Sequence, residues 1–292
     1  MKYAIQSSKL KVEVLEKGAE LCSIQTIDTK TEYLWQADPQ VWGSHAPVLF
    51  PIIGALKENR FWYDENWYTM PKHGIIRHNE ELTVEAQSED SIQFLLSSGD
   101  ALSANYPFEY EFRIRYRVQG SQLEVSHEVA NTGSKPMYFS IGGHPGFRCP
   151  LFKDESYEDY FIEFEHPEHA DTWLLDMESG LVSDRTERVL DNSNQLPLHK
   201  NLFNRDALIF KTLQSRSVNL CHKKKGAVLS VHFNDFPYLG IWAKPNADFV
   251  CIEPWLGIAD SITHNQKLTD KEGILKLDPD TPFSASFSIQ VY

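Results

Sequence analysis

A strict alternation of apolar and polar residues runs from Tyr110 to Val129. Tyr110, Phe112, Ile114, Tyr116 and Val118 alternate with Glu111, Arg113, Arg115 and Arg117. After Gln119-Gly120-Ser121 the pattern resumes, with Leu123, Val125, His127 and Val129 set against Glu124, Ser126 and Glu128. Successive side chains of a strand point to opposite faces, so this pattern buries one face and wets the other. A helix, at 3.6 residues per turn, has no use for it. The segment predicts an antiparallel hairpin turning at the Gly-containing linker. Asn131-Thr132-Gly133-Ser134-Lys135-Pro136 then closes the second strand with turn residues.

Shorter copies of the pattern are spread along the chain. Leu10, Val12 and Val14 alternate near the start, and residues 81–86 and 91–96 flank a polar turn at Ser88-Glu89-Asp90. Residues 161–165, 229–233 and 283–291 complete the set. Helical signals are confined to residues 38–42 and 100–105, and no apolar stripe lasts three turns. Many short strands with evenly spread turns predict an all-β fold, a large antiparallel β-sandwich or a barrel with few short helices. The 292 residues are compatible with one large β domain or two smaller ones. With no linker, repeat or low-complexity run, a single domain over 1–292 is expected. Residues 152–201 are polar, acidic and less regular, and read as an excursion from it.

Charge narrows the partners. Lys+Arg number 28 against 41 Asp+Glu, a net charge of -13. Nucleic acid and anionic membrane surfaces both demand the opposite sign, so neither is expected as the main partner. The aromatic share of 12% suits β structure and stacking surfaces for carbohydrate. Cys22, Cys149, Cys221 and Cys251 are widely spaced, without a CxxC pair or zinc-finger spacing. No stretch near Met1 has a signal-peptide core, and no run reaches the roughly 18 apolar residues of a membrane span. A cytoplasmic protein with reduced cysteines is the expectation.

Four segments do not read as ordinary strands or turns: residues 49–60, 70–77, 140–147 and 250–255. In the third, Gly142-Gly143 precede His144 and Pro145-Gly146 follow it. Such a backbone presents one imidazole from a tight, rigid loop. In the second, His73-Gly74 lies between Lys72 and Arg77. In the fourth, Glu253 sits in the apolar run from Phe249 to Trp255. A buried carboxylate there has a raised pKa and makes a competent base near neutrality. The cluster His166-Pro167-Glu168-His169 reads as a solvated loop.

At these four segments the chain resembles the aldose 1-epimerase (galactose mutarotase) superfamily, and within it the LacX-like branch. The likeness runs over nearly the whole chain, and it implies the galactose mutarotase-like β supersandwich. It also implies roles. Asn59-Arg60 is similar to the family's sugar-binding pair, His73 to its first active-site histidine and His144 to its second. Asp206 matches the aspartate that holds sugar hydroxyls, and Glu253 the catalytic glutamate. The flanks differ: this chain has Gly143-His144-Pro145-Gly146-Phe147 where galactose-specific members carry an Asn-His-x-Tyr-Phe-Asn-Leu type motif. The preferred sugar is thereby left open.

The resemblance implies conversion between α and β anomers of an aldohexose. A base takes the C1 hydroxyl proton, an acid protonates the ring oxygen, and the opened sugar rotates and recloses. Glu253 is expected as base and His144 as acid, each charged through mutual attraction. No metal or organic cofactor is needed. His73, Arg60, Asn59, Asp206 and Arg77 would hold the sugar, with Trp255 and Phe147 as stacking surfaces. Lys57, Arg60, Lys72 and Arg77 also suit a sugar phosphate, as in the hexose-6-phosphate epimerase branch. Other readings are a non-catalytic carbohydrate-binding protein, a glycosidase built on Asp206 and Glu253, and a metal enzyme built on His73, His144 and Glu253.

Overall fold

The computed structural model describes residues 1–292 apart from the side chains of Asp100 and Ala101. Two antiparallel sheets face each other. The larger has nine strands. From one edge they run Val182–Pro197, Tyr160–Leu175, Ser217–His222, Gly226–His232 and Pro282–Val291, then Gln122–Asn131, Tyr110–Gln119, Ser91–Ser97 and Thr83–Gln87. The smaller has six. Leu208–Phe210, Tyr238–Trp242, Phe249–Leu256, Ile141–Gly143 and Val48–Leu49 lie in that order, and Gly146–Arg148 also pairs with Phe249–Leu256.

The central hairpin has the expected register, from Gln122 opposite Gln119 to Asn131 opposite Tyr110. It turns at Gly120, whose φ is +58°. Its apolar face is buried residue by residue while the arginines and glutamates between face outward. The two sheets meet through aromatic rings, as where Phe50 stacks on Phe112 at 4.8 Å. One cluster of buried residues runs from Ile5 to Val291. Burying each such ring contributes roughly 1.5–3 kcal/mol.

Where the sequence suggests helix, the chain makes at most one turn. Asp100–Ser103 is a single helical turn. Residues 38–42 form a tight turn in which the Val41 and Trp42 N–H groups donate to the Asp38 carbonyl. The polar stretch after Phe152 is not irregular. It holds the two 16-residue strands Tyr160–Leu175 and Val182–Pro197. Their pairing shifts register at four points, which breaks the two-residue rhythm. Glu168 is likewise no solvated residue. It is 2% exposed and accepts from the Ser215 N–H at 2.7 Å and hydroxyl at 2.6 Å. Cys22, Cys149, Cys221 and Cys251 are all unpaired and buried. Among the described residues no helix is long and apolar enough to cross a membrane.

Candidate active site

Phe249–Leu256 is buried along nearly its whole length, which is why it reads as an apolar run. It places Glu253 opposite Gly240 and Trp255 opposite Gly142. His144 follows directly on Ile141–Gly143, and its N–H donates to the Pro47 carbonyl at 3.1 Å. Gly143 is required there by packing, since a Cβ would stand 2.7 Å from the Phe287 ring. His73 is held in the left-handed region at φ +70°. Its N–H donates to the Gly54 carbonyl at 2.9 Å, and its Nδ1 accepts from the Gly54 N–H at 3.2 Å. Gly74 follows at φ +84°, where a Cβ would come within 2.1 Å of the Phe50 carbonyl oxygen. Backbone strain of this kind persists only where the surroundings over-determine it.

These segments converge on a cavity of about 170 Å³. His144 Nε2 lies 3.2 Å from Glu253 Oε2. The His144 ring is boxed in by Trp42 at 5.1 Å, His73 at 5.5 Å and Trp242 at 5.8 Å between centroids. Burial pushes His144 down to about 3, with the Arg77 and Lys72 charges adding to the effect. Burial pushes Glu253 well above the usual carboxylate range, against the pull of Lys72. Burial thus favours the neutral form of both groups, where the sequence suggested an ion pair. His73 is also held neutral, first by burial and then by the charges around it. Because its Nδ1 accepts a hydrogen bond, its proton belongs on Nε2.

Of the residues expected at a site, His73, Arg77, His144, Asp206, Glu253 and Trp255 all line this cavity. Arg77 Nη2 donates to the Ser44 hydroxyl at 3.0 Å. Asp206, at φ +70°, accepts the Ala207 N–H on Oδ1. Lys72 is at the rim. Four expected residues are elsewhere. Lys57 Nζ donates to the Ile262 carbonyl at 3.0 Å. Asn59 is exposed on a 3₁₀ turn, Lys57–Asn59. Arg60 starts the hairpin that pairs Arg60–Tyr63 with Asn66–Thr69. That pairing lays its guanidinium over Trp67 at 4.3 Å and beside Glu58. Phe147 is fully buried in the core, opposite Val250. Sequence reasoning missed Trp42, Trp242, Ile53 and Gly54. Ile53 and Gly54 lie in the segment 49–60 singled out above, and Trp42, set in a polar turn before Gly43, also carried a local signal.

One donor set, two of whose residues line the cavity, suits a metal ion. Single ligand atoms of His144, Cys251 and Glu253 lie within 4.8 Å of one another.

Two facing antiparallel sheets of this kind are the fold of galactose mutarotase-like proteins. The profile of the aldose 1-epimerase family matches residues 1–270, and the chain belongs to that family. It is 36% identical over 300 aligned residues to the chromosomal protein LacX of Lactococcus lactis subsp. lactis, covering 100% of this chain and 99% of that one. A galactose mutarotase related enzyme from Lactobacillus acidophilus superposes with a TM-score of 0.94 at 34% identity, over 100% of this chain and 97% of that one. A galactose mutarotase-like protein from Lactobacillus casei superposes with a TM-score of 0.92 at 26% identity, over the whole of both chains.

Proposed function

We propose that this protein is an aldose 1-epimerase whose proton-transfer pair is Glu253 and His144. The reading rests on their 3.2 Å approach at the floor of the cavity. Anomer exchange needs one proton to give and one lone pair to receive it. A neutral carboxyl beside a neutral imidazole holds that complement. When a sugar enters, its hydroxyls and the nearby Lys72 charge replace the missing solvation. The carboxyl proton then passes to the imidazole across 3.2 Å. Glu253 takes the C1 hydroxyl proton while His144 protonates the ring oxygen. The C1–C2 bond rotates, and the same two groups reclose the ring with their roles exchanged. Each positioned group contributes roughly 10²–10⁴-fold.

The rest of the wall supplies binding. His73 Nε2–H is a donor to a sugar oxygen. The free oxygen of Asp206 accepts a sugar hydroxyl. Trp42, Trp242 and Trp255 offer rings to the apolar faces of the sugar. No cofactor enters these steps. Polarimetry on freshly dissolved α-D-glucose and α-D-galactose tests the reading, and acceleration of the drift to equilibrium is the expected result. Saturable sugar binding without acceleration would leave only a carbohydrate-binding protein.

A second reading keeps the reaction and changes the substrate to a hexose phosphate. It is favoured by Lys72 and Arg77, which set two cations against the Asp206 carboxylate around the same cavity. Glucose 6-phosphate, followed by anomer exchange in NMR beside glucose, separates the two.

A further inference from the structure

Cys251 has no part in the proposed reaction, yet it stands two residues from Glu253 on the same strand. Residues i and i+2 of a strand share a face, so sulfur and carboxyl point the same way. Opposite Cys251 in register is Gly146, so no side chain at that position comes between the sulfur and its neighbours, though Cys251 itself is fully buried. A Cβ there would reach within 3.4 Å of Sγ. The three donors of His144, Cys251 and Glu253 fall within 4.8 Å of one another, and all three residues are buried. His144 Nε2 and Glu253 Oε2, at 3.2 Å, already stand at the spacing of two ligands on one tetrahedral ion. Glu253 Oε2 is buried without a hydrogen-bond partner, and so is the other ring nitrogen of His144, Nδ1.

We propose that His144, Cys251 and Glu253 form a binding site for a soft divalent cation such as Zn²⁺, and that its occupation shuts off sugar turnover. Thiolate, imidazole and carboxylate are a zinc-type ligand set, and the sulfur selects against Mg²⁺ and Ca²⁺. Binding replaces the thiol and carboxyl protons, which leave to solvent. The two anions then cancel the charge of the ion, so the buried assembly is neutral. A neutral assembly avoids the cost of burying a bare ion. A water would complete the tetrahedron in the place that the sugar otherwise takes beside His144 and Glu253, so ion and sugar exclude each other. The inhibitory half rests on the proposed function, because it removes Glu253 and His144 from proton transfer.

Co²⁺ added to the full chain serves as the spectroscopic probe. The expected result is one Co²⁺ per chain with a sulfur-to-metal charge-transfer band, displaced by Zn²⁺ and untouched by Mg²⁺. Cys251→Ser and Cys251→Ala, with folding checked by near-UV circular dichroism, should lose the band and bind Zn²⁺ about tenfold more weakly or worse. In the polarimetric assay Zn²⁺ should inhibit competitively with sugar, and a chelator should restore the rate. Absence of the band in folded wild type, displacement by Mg²⁺, or unchanged Zn²⁺ affinity in Cys251→Ser would each overturn the site. A chain that binds Co²⁺ through Cys251 but never accelerates anomer exchange supports the metal site and contradicts the epimerase reading. Acceleration without the band contradicts the metal site alone.

Discussion

His144 and Glu253 face each other at 3.2 Å with only 9% and 1% of their surfaces exposed. The first residue of this pair comes off the end of one strand and the second from the middle of its neighbour, so sheet pairing fixes their separation. Burial then decides their protonation. With imidazole and carboxyl both neutral, one proton can pass between them, which is the number the proposed reaction needs.

The pH dependence of kcat/KM follows from that count. Activity is lost on the acid side when His144 takes up a second proton, and on the basic side when Glu253 gives up the only one. His144 is pushed down to about 3, so the acid limb should fall well below the ordinary imidazole value of 6.5. Glu253 is pushed up, so the basic limb should lie well above 4.5. A pH–rate profile of kcat/KM checks both limbs. An acid limb centred at an ordinary histidine value would show that His144 is not the group that titrates.

His127 ties the fold to pH by a separate route. It is fully buried among Phe112, Phe236 and Phe287, and neither ring nitrogen has a hydrogen-bond partner. Burial lowers its pKa from 6.5 to about 4. The folded value is below the unfolded one, so the unfolded chain binds the proton first as pH falls. The stability is fully present above pH 6.5 and is lost between there and about 4. The loss amounts to about 3 kcal/mol. Urea unfolding of wild type and His127→Leu across this window should show the slope in the first and a flatter curve in the second. Equal slopes would contradict the assignment.

Gly143 couples the sandwich core to the catalytic loop. With a Cβ 2.7 Å from Phe287, Gly143→Ala should overpack the core and cost about 1–3 kcal/mol. Because His144 is the next residue, kcat should drop with it. Phe287→Leu should restore part of both losses. A double-mutant cycle measures the coupling, and strict additivity would show that the two residues do not meet.

Behind the cavity lies a buried ion pair. Lys271 Nζ donates to Asp260 Oδ1 at 2.9 Å, and both side chains are 1% exposed. Asp260 also accepts the Lys57 N–H on Oδ2, and its own N–H donates to the Ala55 carbonyl. The pair thus pins the loop that places Ala259 in the cavity wall. Lys271→Ala leaves a buried carboxylate without its cation and should cost about 3–5 kcal/mol. The double change Lys271→Met, Asp260→Leu should recover much of it. Chemical denaturation of the three variants tests this, and a loss below about 1 kcal/mol in Lys271→Ala would contradict it.

Much of this was readable because burial on one face leaves a period of two. The hairpin from Tyr110 to Asn131 kept that rhythm without a bulge, so its register and turn were both legible. Of the strands between Tyr160 and Pro197 only residues 161–165 were, because register shifts break the rhythm beyond them and one face is largely exposed. At the site, glycine beside histidine and a carboxylate inside an apolar run were local signals, and they located His73, His144 and Glu253. Trp242 gave no such signal, since it joins the cavity only through sheet pairing with the Glu253 strand. Arg60 misled for the opposite reason. It lies in one of the four segments singled out, but the hairpin it begins carries its side chain onto Trp67. The protonation state of the pair was out of reach, because attraction between charges is visible in a sequence and depth of burial is not.

The decisive measurement is the rate at which freshly dissolved α-D-glucose, α-D-galactose and α-D-glucose 6-phosphate reach anomeric equilibrium with wild type and with Glu253→Gln. Glutamine keeps the size of the side chain and removes the exchangeable proton. The account predicts clear acceleration of at least one sugar by wild type and a loss of about 10²–10⁴-fold in Glu253→Gln, with the fold intact. A Glu253→Gln protein that keeps the wild-type rate, or a wild type that accelerates none of the three, would contradict it.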